Sequence, residues 1–256
     1  MSAAAPPPGR LYLVPAPLDF GCEAQAPLAD VMPAGTLAVA ARLPCWISEN
    51  ARSTRAYLKR VNDSHPLALP FQALQIQELP RQVHKKGDHA GQFDARPLLQ
   101  VALQGQDVGL VSEAGMPAIA DPGSSVVKAA HELGLEVRPL TGPISLTLAL
   151  AASGLNGQNF AFVGYLPQDA SERGERIRQL DNLALKSGQT QLFIETPYRN
   201  AALFGALLQH LQGHSRLALS CGLTLEQGWS RCLSVQRWKK ETPPQLTLPT
   251  VFAIGR

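Results

Sequence analysis

Short β-prone runs alternate with helical patterns along this chain, and no other feature limits its fold as strongly. Apolar runs at 11–14, 36–41, 108–112 and 137–140 are typical of strands, and helices are predicted between them. Because parallel neighbours must be joined by long crossovers, the alternation predicts a mostly parallel sheet. The Pro-containing stretch at 63–81 has little pattern, and we interpret it as a loop or an edge segment.

A second series of strands is predicted in the C-terminal half, at 160–165, 191–195, 217–221, 232–236 and 250–254. The last of these follow one another with little helix between them, which indicates a mixed sheet. We therefore predict an α/β protein of two domains with a ligand cleft between them. Its parts are a disordered tail at 1–8, an N-terminal domain at 9–142 and a C-terminal domain at 143–256.

Composition narrows the class of protein. Of the 256 residues, 45% are hydrophobic, which is enough for buried cores, and no apolar run approaches the roughly 20 residues of a membrane helix. The N-terminus lacks the basic-then-apolar build of a secretion signal, so a cytoplasmic location is expected. The four cysteines form no C-x-x-C pair and the six histidines no H-E-x-x-H motif, so no metal site is expected. The net charge of +3 is too small to indicate by itself whether the chain binds nucleic acid.

Three strand-to-helix junctions share one design. Asp121 is predicted to cap a helix that starts at Pro122, after a tight turn at Gly115. The segment 141–143 opens a helix at 144–153 that Gly154 ends, and Thr196-Pro197 repeats the pattern. Such turns also serve merely to reverse the chain. Three of them at the carboxyl ends of presumed parallel strands favour a shared binding crevice.

Known nucleotide-binding motifs do not explain these junctions. Neither G-x-G-x-x-G nor G-x-x-x-x-G-K-[ST] occurs in the chain. A Rossmann dinucleotide site and a P-loop therefore have no support.

The most specific block is V-S-E-A-G-M-P-A-I-A-D-P-G-S-S-V-V-K-A-A at 111–130, followed by V-R-P-L-T-G-P-I-S-L-T-L-A-L-A-A-S-G-L at 137–155. Shorter stretches agree in order: L-Y-L-V-P-A-P-L at 11–18, E-N-A-R at 49–52, F-V-G-Y-L-P at 162–167 and F-I-E-T-P-Y-R at 193–199. Together they resemble the tetrapyrrole methylase superfamily. Within it, the bacterial enzymes that methylate a ribose 2′-hydroxyl of small-subunit ribosomal RNA are the most similar branch.

The resemblance implies two α/β domains, S-adenosylmethionine (SAM) in the cleft between them, and a homodimer. It places the cofactor contacts on Pro17, Ala114, Gly115, Met116, Ile119, Ile144, Ser145, Glu195, Leu223 and Pro249. For Ile144, Leu223 and Pro249, core packing is a competing explanation. Glu195 is more informative because a carboxylate is costly to bury without a partner.

Several motifs depart from those of the RNA-methylating relatives. This chain has Glu49-Asn50-Ala51-Arg52 in place of E-D-T-R, and Ser112–Pro117 reads S-E-A-G-M-P in place of S-D-A-G-T-P. Pro17–Phe20 reads P-L-D-F in place of P-I-G-N, and 246–249 replaces a Lys-Gly-Glu run. Cofactor-binding positions are therefore better preserved than substrate-side polar groups.

Methyl transfer needs chiefly that acceptor and methyl group be held at near-attack distance, and a positioned base helps a ribose hydroxyl to react. The candidate catalytic residues are Glu49, Arg52 and Glu113, with Asp88 and His89 as further proton acceptors. Solvent-exposed carboxylates, or a helix N-terminal charge for Glu49, are the competing interpretation.

Two basic surfaces are candidates for RNA phosphates. Arg52, Arg55 and Lys59 recur at helical spacing with Arg60 beside them, opposite an apolar side formed by Thr54, Tyr57, Leu58 and Val61. The second is 231–240, with Trp229 and Trp238 as stacking residues. Ordinary solvated faces explain these two basic surfaces equally well. The segment 172–178 is predicted to be a surface helix.

Three functions follow from these observations. The first is SAM-dependent methylation of RNA ribose in a small-subunit rRNA or particle. The second is methylation of a small molecule such as a tetrapyrrole. The third is a diverged SAM-binding paralogue with little catalytic activity.

Overall fold

The computed structural model describes residues 6–80, 83 and 93–256, which divide into two compact units. Unit 1 contains the described residues up to Gly21 and from Gln25 to Pro143, and unit 2 contains Cys22–Ala24 and Ile144–Arg256. Pro6, Pro7 and Pro8 are exposed and have no regular structure. No helix within these described ranges has both the length and the apolar character needed to cross a membrane.

Unit 1 is built on a sheet in the order β3-β2-β4-β1-β5, and every neighbouring pair is parallel. Its strands are β1 (Leu11–Leu13), β2 (Cys45–Ser48), β3 (Gln75–Glu78), β4 (Val108–Val111) and β5 (Val137–Pro139). Its helices are α1 (Leu28–Val31), α2 (Ala34–Arg42), α3 (Ala51–Asn62), α4 (Gln100–Leu103) and α5 (Ser124–Glu132), with 3-10 turns at Phe71–Ala73 and Arg96–Leu99. The predicted parallel sheet is confirmed, and β3 forms its edge within the stretch interpreted as a loop or edge segment.

Unit 2 has a mixed sheet in the order β6-β7-β10-β8-β9, in which only β6 and β7 are parallel. Its strands are β6 (Phe160–Tyr165), β7 (Thr190–Glu195), β8 (Arg216–Cys221), β9 (Trp229–Ser234) and β10 (Thr250–Gly255). Its helices are α6 (Ser145–Ser153), α7 (Ala170–Ser187), α8 (Asn200–His210) and α9 (Val235–Trp238), with a 3-10 turn at Pro197–Arg199. The predicted mixed sheet is confirmed, and the predicted surface helix is part of α7.

Helix α3 shows how local sequence sets an element of the site. The Asn50 side chain accepts a hydrogen bond from the backbone N–H of Arg52 at 2.9 Å, which caps the helix. Glu78 of the edge strand accepts from the N–H of Ala51 at 2.7 Å and places a negative charge at the helix N-terminus. Thr54, Tyr57, Leu58 and Val61 are buried, so the predicted apolar side is confirmed.

The sequence interpretation was wrong at 36–41, which is helix α2 and not a strand. Alanine is the strongest helix former, and Leu37, Ala40 and Ala41 form a buried face at helical spacing. The strand is the next segment, β2, whose residues are all buried. Continuous burial removes the alternation that would have identified it.

Three element boundaries also differ from the predictions. Helix α5 begins at Ser124 after Gly123, whose φ of 135° only glycine adopts readily, and not at Pro122. Helix α6 begins at Ser145, one residue late, and ends at Gly154 as predicted. Strand β9 ends at Ser234, because that side chain accepts from the N–H of Arg237 and caps α9 within the predicted strand 232–236.

Gly142 is predicted to resist substitution. A Cβ at this position would lie 2.2 Å from Cγ of Pro15, a rigid ring, so Gly142→Ala should destabilise the fold by about 1–3 kcal/mol through overpacking. Gly35 in α2 is the matched control, since a Cβ there meets nothing within 4 Å, and Gly35→Ala should stabilise by up to about 1 kcal/mol. Urea unfolding measures both, and equal effects would contradict the close approach.

Candidate functional site

The carboxyl ends of β1, β4 and β2 lie next to one another at one edge of the parallel sheet. Leu13 pairs with Leu110, and Ser48 with Val111, so the loops that follow start side by side. Two of these loops are joined by paired hydrogen bonds of 2.8 and 2.9 Å between the backbones of Ala16 and Gly115. The edge is therefore a fixed arrangement of backbone, and it is the place where open α/β sheets bind ligands.

Five predicted cofactor contacts lie at this edge. Pro17 is buried next to Ala16, and Gly115 has the predicted positive φ, at 70°. Ala114 and Met116 are half-buried, whereas Ile119 is 42% exposed. The structure thus brings Pro17 and the loop after β4 together.

Backbone strain marks this loop. Ala118 and Ala120 both have φ of 65°, a left-handed conformation that costs a residue with a Cβ free energy. Among the described residues, Thr224 is the one other non-glycine residue with positive φ, and it follows the predicted contact Leu223. Such strain persists where the surroundings hold it in place, commonly at ligand sites.

Three carboxylates converge at the same edge. Glu49 accepts a hydrogen bond from the backbone N–H of Glu113 at 3.2 Å, so these two predicted catalytic residues are brought together. Burial raises the pKa of Asp121 to about 7, and the nearby charges of Glu49 and Glu113 add to the rise while a hydrogen bond with Ser112 opposes it. Asp121 was predicted as a helix cap. That prediction is wrong, because the side chain belongs to this carboxylate cluster.

The predicted contacts in unit 2 gather at one edge of its own sheet. Thr250 pairs with Glu195 on one side and with Cys221 on the other. Pro249 therefore lies between the ends of β7 and β8, and its carbonyl accepts from the N–H of Gly222, next to Leu223, at 2.9 Å. Ile144 and Leu223 pack against the same apolar cluster, and Ser145 is the first residue of α6.

Glu195 has the partner that its burial requires. Its carboxylate is 8% exposed and makes an ion pair of 2.8 Å with Arg199, and the N–H of Thr196 donates to it at 2.7 Å. Thr196 occupies the predicted cap position before Pro197, but its side chain makes no capping hydrogen bond.

The basic face of α3 differs from the prediction at one residue. Arg52, Arg55 and Lys59 are exposed, as expected, and none of them has an ion-pair partner within the described ranges. Arg60 instead makes two hydrogen bonds of 3.0 and 2.9 Å to the buried carboxylate of Asp19. Arg60 is therefore a structural residue, and the exposed stripe consists of three residues.

The prediction of the second basic surface is wrong at Trp238, whereas Trp229 is partly buried. Trp238 is 1% exposed and donates its indole N–H to the carbonyl of Leu217 at 2.8 Å, so it cannot stack on a base. Arg231 lies over the Trp238 ring and pairs with Glu241 at 3.0 Å. Asp88 and His89 lie outside the described residues.

Sequence reasoning missed a pocket of about 400 Å³ in unit 1, next to the carboxylate cluster. The loop after β1, one side of α3 and the start of the loop after β4 form its walls. Four lining residues stand where this chain departs from its relatives' motifs: Asp19, Phe20, Asn50 and Glu113. Those departures were the available signal, but nothing in the sequence showed that they share one pocket.

Asp121→Asn should change how stability depends on pH. The folded chain binds the proton of the Asp121 carboxyl more tightly than the unfolded chain does. The stability that this protonation contributes is therefore complete below about pH 4 and is lost as the pH rises through about 7. We expect the variant to lose less stability than the wild type between pH 5 and 8, and to exceed it by at least about 1 kcal/mol at pH 8.

Urea unfolding at pH 5 and pH 8 measures this difference. Asp94→Asn is the control, because Arg96 lowers the pKa of Asp94 to about 2 and its titration lies below this range. Parallel pH profiles for the wild type and Asp121→Asn would contradict the raised pKa.

Comparison with solved structures supports the fold. The methyltransferase CobJ superposes with a TM-score of 0.56 at 18% identity, covering 97% of this chain and 94% of CobJ. The uroporphyrin III C-methyl transferase of Thermus thermophilus gives 0.53 at 16% identity, covering 97% and 98%. At these identities the likeness concerns the fold alone.

Comparison with known sequences identifies relatives and a family. The Ribosomal RNA small subunit methyltransferase I of Vibrio cholerae is 35% identical over 137 residues, which are 54% of this chain and 46% of that protein. The protein of the same name from Micromonospora olivasterospora is 34% identical over 217 residues, 84% of this chain and 60% of its own length. The chain thus spans about half the length of the curated relatives it matches. A family model described as Tetrapyrrole (Corrin/Porphyrin) Methylases matches residues 48–228, and the chain belongs to that family.

Proposed function

We propose that this chain is a SAM-dependent methyltransferase that modifies a ribose 2′-hydroxyl of small-subunit ribosomal RNA. The observation that carries the proposal is the 34% identity to a small-subunit rRNA methyltransferase over 84% of this chain, within a family of methylases. The carboxylate cluster beside the exposed basic stripe supports it. A small-molecule acceptor has less support, because the tetrapyrrole-modifying neighbours share the fold at under 20% identity.

We propose that the cofactor is held by the residues that the family likeness assigns to it. In unit 1 these are Pro17, Ala114, Gly115, Met116 and Ile119. In unit 2 they are Ile144, Ser145, Glu195, Leu223 and Pro249. The fit rests on the strained backbone at Ala118, Ala120 and Thr224 and on three carboxylates whose charge attracts a sulfonium cation.

The carboxylate cluster supplies the acid-base chemistry. SAM, when bound, supplies an electrophilic methyl group on a positively charged sulfur. Transfer to a ribose oxygen releases the hydroxyl proton, and one carboxylate of the cluster formed by Glu49, Glu113 and Asp121 receives it. A carboxylate with a pKa of about 7 suits this task, because general bases act best near the working pH.

The exposed face of α3 binds the RNA backbone in this proposal. Arg52, Arg55 and Lys59 lie on one side of a capped helix, so their charges are held in a row. Phosphate contacts of this kind position the RNA and are weakened by salt. Arg52 also lines the pocket next to the carboxylates, which connects the RNA surface to the site of chemistry.

The double variant Arg55→Ala/Lys59→Ala tests this assignment. With SAM and small-subunit rRNA or particles, we expect KM for RNA to rise at least tenfold and the slope of log affinity against log salt to fall by about 2. The dissociation constant for SAM, measured by calorimetry, should stay unchanged. Arg176→Ala/Lys186→Ala on exposed positions of α7 is the matched control and should behave like the wild type.

Each assay has an outcome against the proposal. Failure of the wild type to bind SAM would contradict methyltransferase function altogether. SAM binding without methyl transfer to any small-subunit RNA would favour a small-molecule acceptor or a non-catalytic paralogue. Transfer that is equally impaired by both double variants would contradict the role of α3.

Two further proposals rest on family likeness. We propose that the chain acts as a homodimer and works in the cytoplasm. Light scattering on the purified protein and fractionation of cells test them, and a monomer or a membrane-bound protein would contradict them.

A further inference from the structure

The pocket in unit 1 is built from segments that the protein holds in place. The buried Asp19 carboxylate pairs with both terminal nitrogens of Arg60 and also accepts from the N–H of Ala26 at 3.2 Å. Arg60 donates in addition to the carbonyl of Ala26 at 2.7 Å. This closed network ties the loop after β1 to helix α3, so the two main walls form one structure.

The lining combines the groups that a nucleotide needs. Phe20 is an aromatic side chain 46% exposed at the wall, and such rings bind unstacked bases. Arg52 supplies a cation for phosphate, and Gln25, Asn50 and Ser53 supply donors and acceptors. Glu113 connects the pocket to the carboxylate cluster. A volume of about 400 Å³ is in the range of small-molecule sites, roughly 300–1,000 Å³.

Tyr57 contributes to the pocket wall, but its hydroxyl does not face the open space. The residue lines the pocket and is 5% exposed, and its hydroxyl has no accessible surface and no hydrogen-bond partner within the described part of the chain. A ligand in the pocket would therefore contact other atoms of Tyr57, and the unpaired hydroxyl is a cost to the stability of the fold.

We propose that this pocket binds the acceptor nucleoside of the RNA after it leaves its base stack, with the base on Phe20 and its phosphate at Arg52. The inference rests on the proposed function and adds where the acceptor lies. Enzymes that act on a nucleotide within a stack commonly extrude it into such a pocket. The ribose is then placed next to Glu113, at the carboxylate cluster that receives its proton.

Binding of the four ribonucleoside 5′-monophosphates, measured by saturation-transfer NMR and calorimetry without SAM, tests the pocket independently of methyl transfer. We expect at least one monophosphate to bind the wild type, and Phe20→Ala and Arg52→Ala each to weaken that binding at least fivefold. Phe160→Ala and Arg176→Ala are matched controls, since Phe160 is 45% exposed and both residues lie in unit 2.

Tyr57→Phe is a control within the pocket wall. Since it removes an unpaired hydroxyl that has no accessible surface, its free energy of unfolding should equal or exceed that of the wild type, and nucleotide binding should stay unchanged. Weakened binding together with a destabilised fold in both Phe20→Ala and Arg52→Ala would overturn the proposal.

The remaining outcomes separate this proposal from the proposed function. Absence of monophosphate binding, or binding that survives both Phe20→Ala and Arg52→Ala, overturns the pocket even if RNA is methylated. Weaker SAM binding in the variants, with monophosphate binding unchanged, also overturns it and assigns the pocket to the cofactor. Monophosphate binding lost in the variants, in a protein that methylates no RNA, supports the nucleotide pocket and contradicts the proposed function.

Discussion

Parallel pairing of β1, β4 and β2 is the constraint on which the site in unit 1 depends. It forces the loops after Leu13, Val111 and Ser48 to begin at one edge, where the backbone pairing of Ala16 with Gly115 fixes two of them. Because the backbone is already held there, the loop after Gly115 can keep strained conformations at Ala118 and Ala120. The same convergence crowds Glu49, Glu113 and Asp121 and raises the pKa of Asp121 to about 7, chiefly through burial.

The ion pair of Asp19 with Arg60 gives the neighbouring pocket its second support. Breaking a buried pair by removing one partner is strongly destabilising, since it leaves an uncompensated charge. The pair therefore fixes the wall that carries Phe20, while Asn50 caps the helix that carries Arg52 and Tyr57. Residues that differ from the relatives' motifs are thus integrated into a defined structure, and in our proposal they form the acceptor side of the site.

Sequence reasoning predicted both sheets, the amphipathic face of α3 and the family, because these depend on local periodicity and on the long motif at 111–155. It failed where tertiary context decides. The alanine-rich segment 36–41 forms a helix, as alanine favours, because Leu37 and its neighbours pack into the core. Asp121 has the sequence pattern of a helix cap, but its side chain is buried next to Glu49 and Glu113. Arg60 and Trp238 were candidates for RNA contact, but Arg60 pairs with Asp19 and Trp238 donates to the carbonyl of Leu217, both distant in sequence. Contacts between residues so far apart in the chain cannot be predicted from local sequence.

The central claim is that this chain places a methyl group on a ribose of small-subunit ribosomal RNA. Mass-spectrometric mapping of 2′-O-methylated nucleotides, in rRNA from cells that lack this chain and from the same cells with it restored, tests that claim most directly. We predict that one 2′-O-methylated nucleotide disappears without the chain and returns with it. An identical methylation map in the two sets of cells would contradict the account.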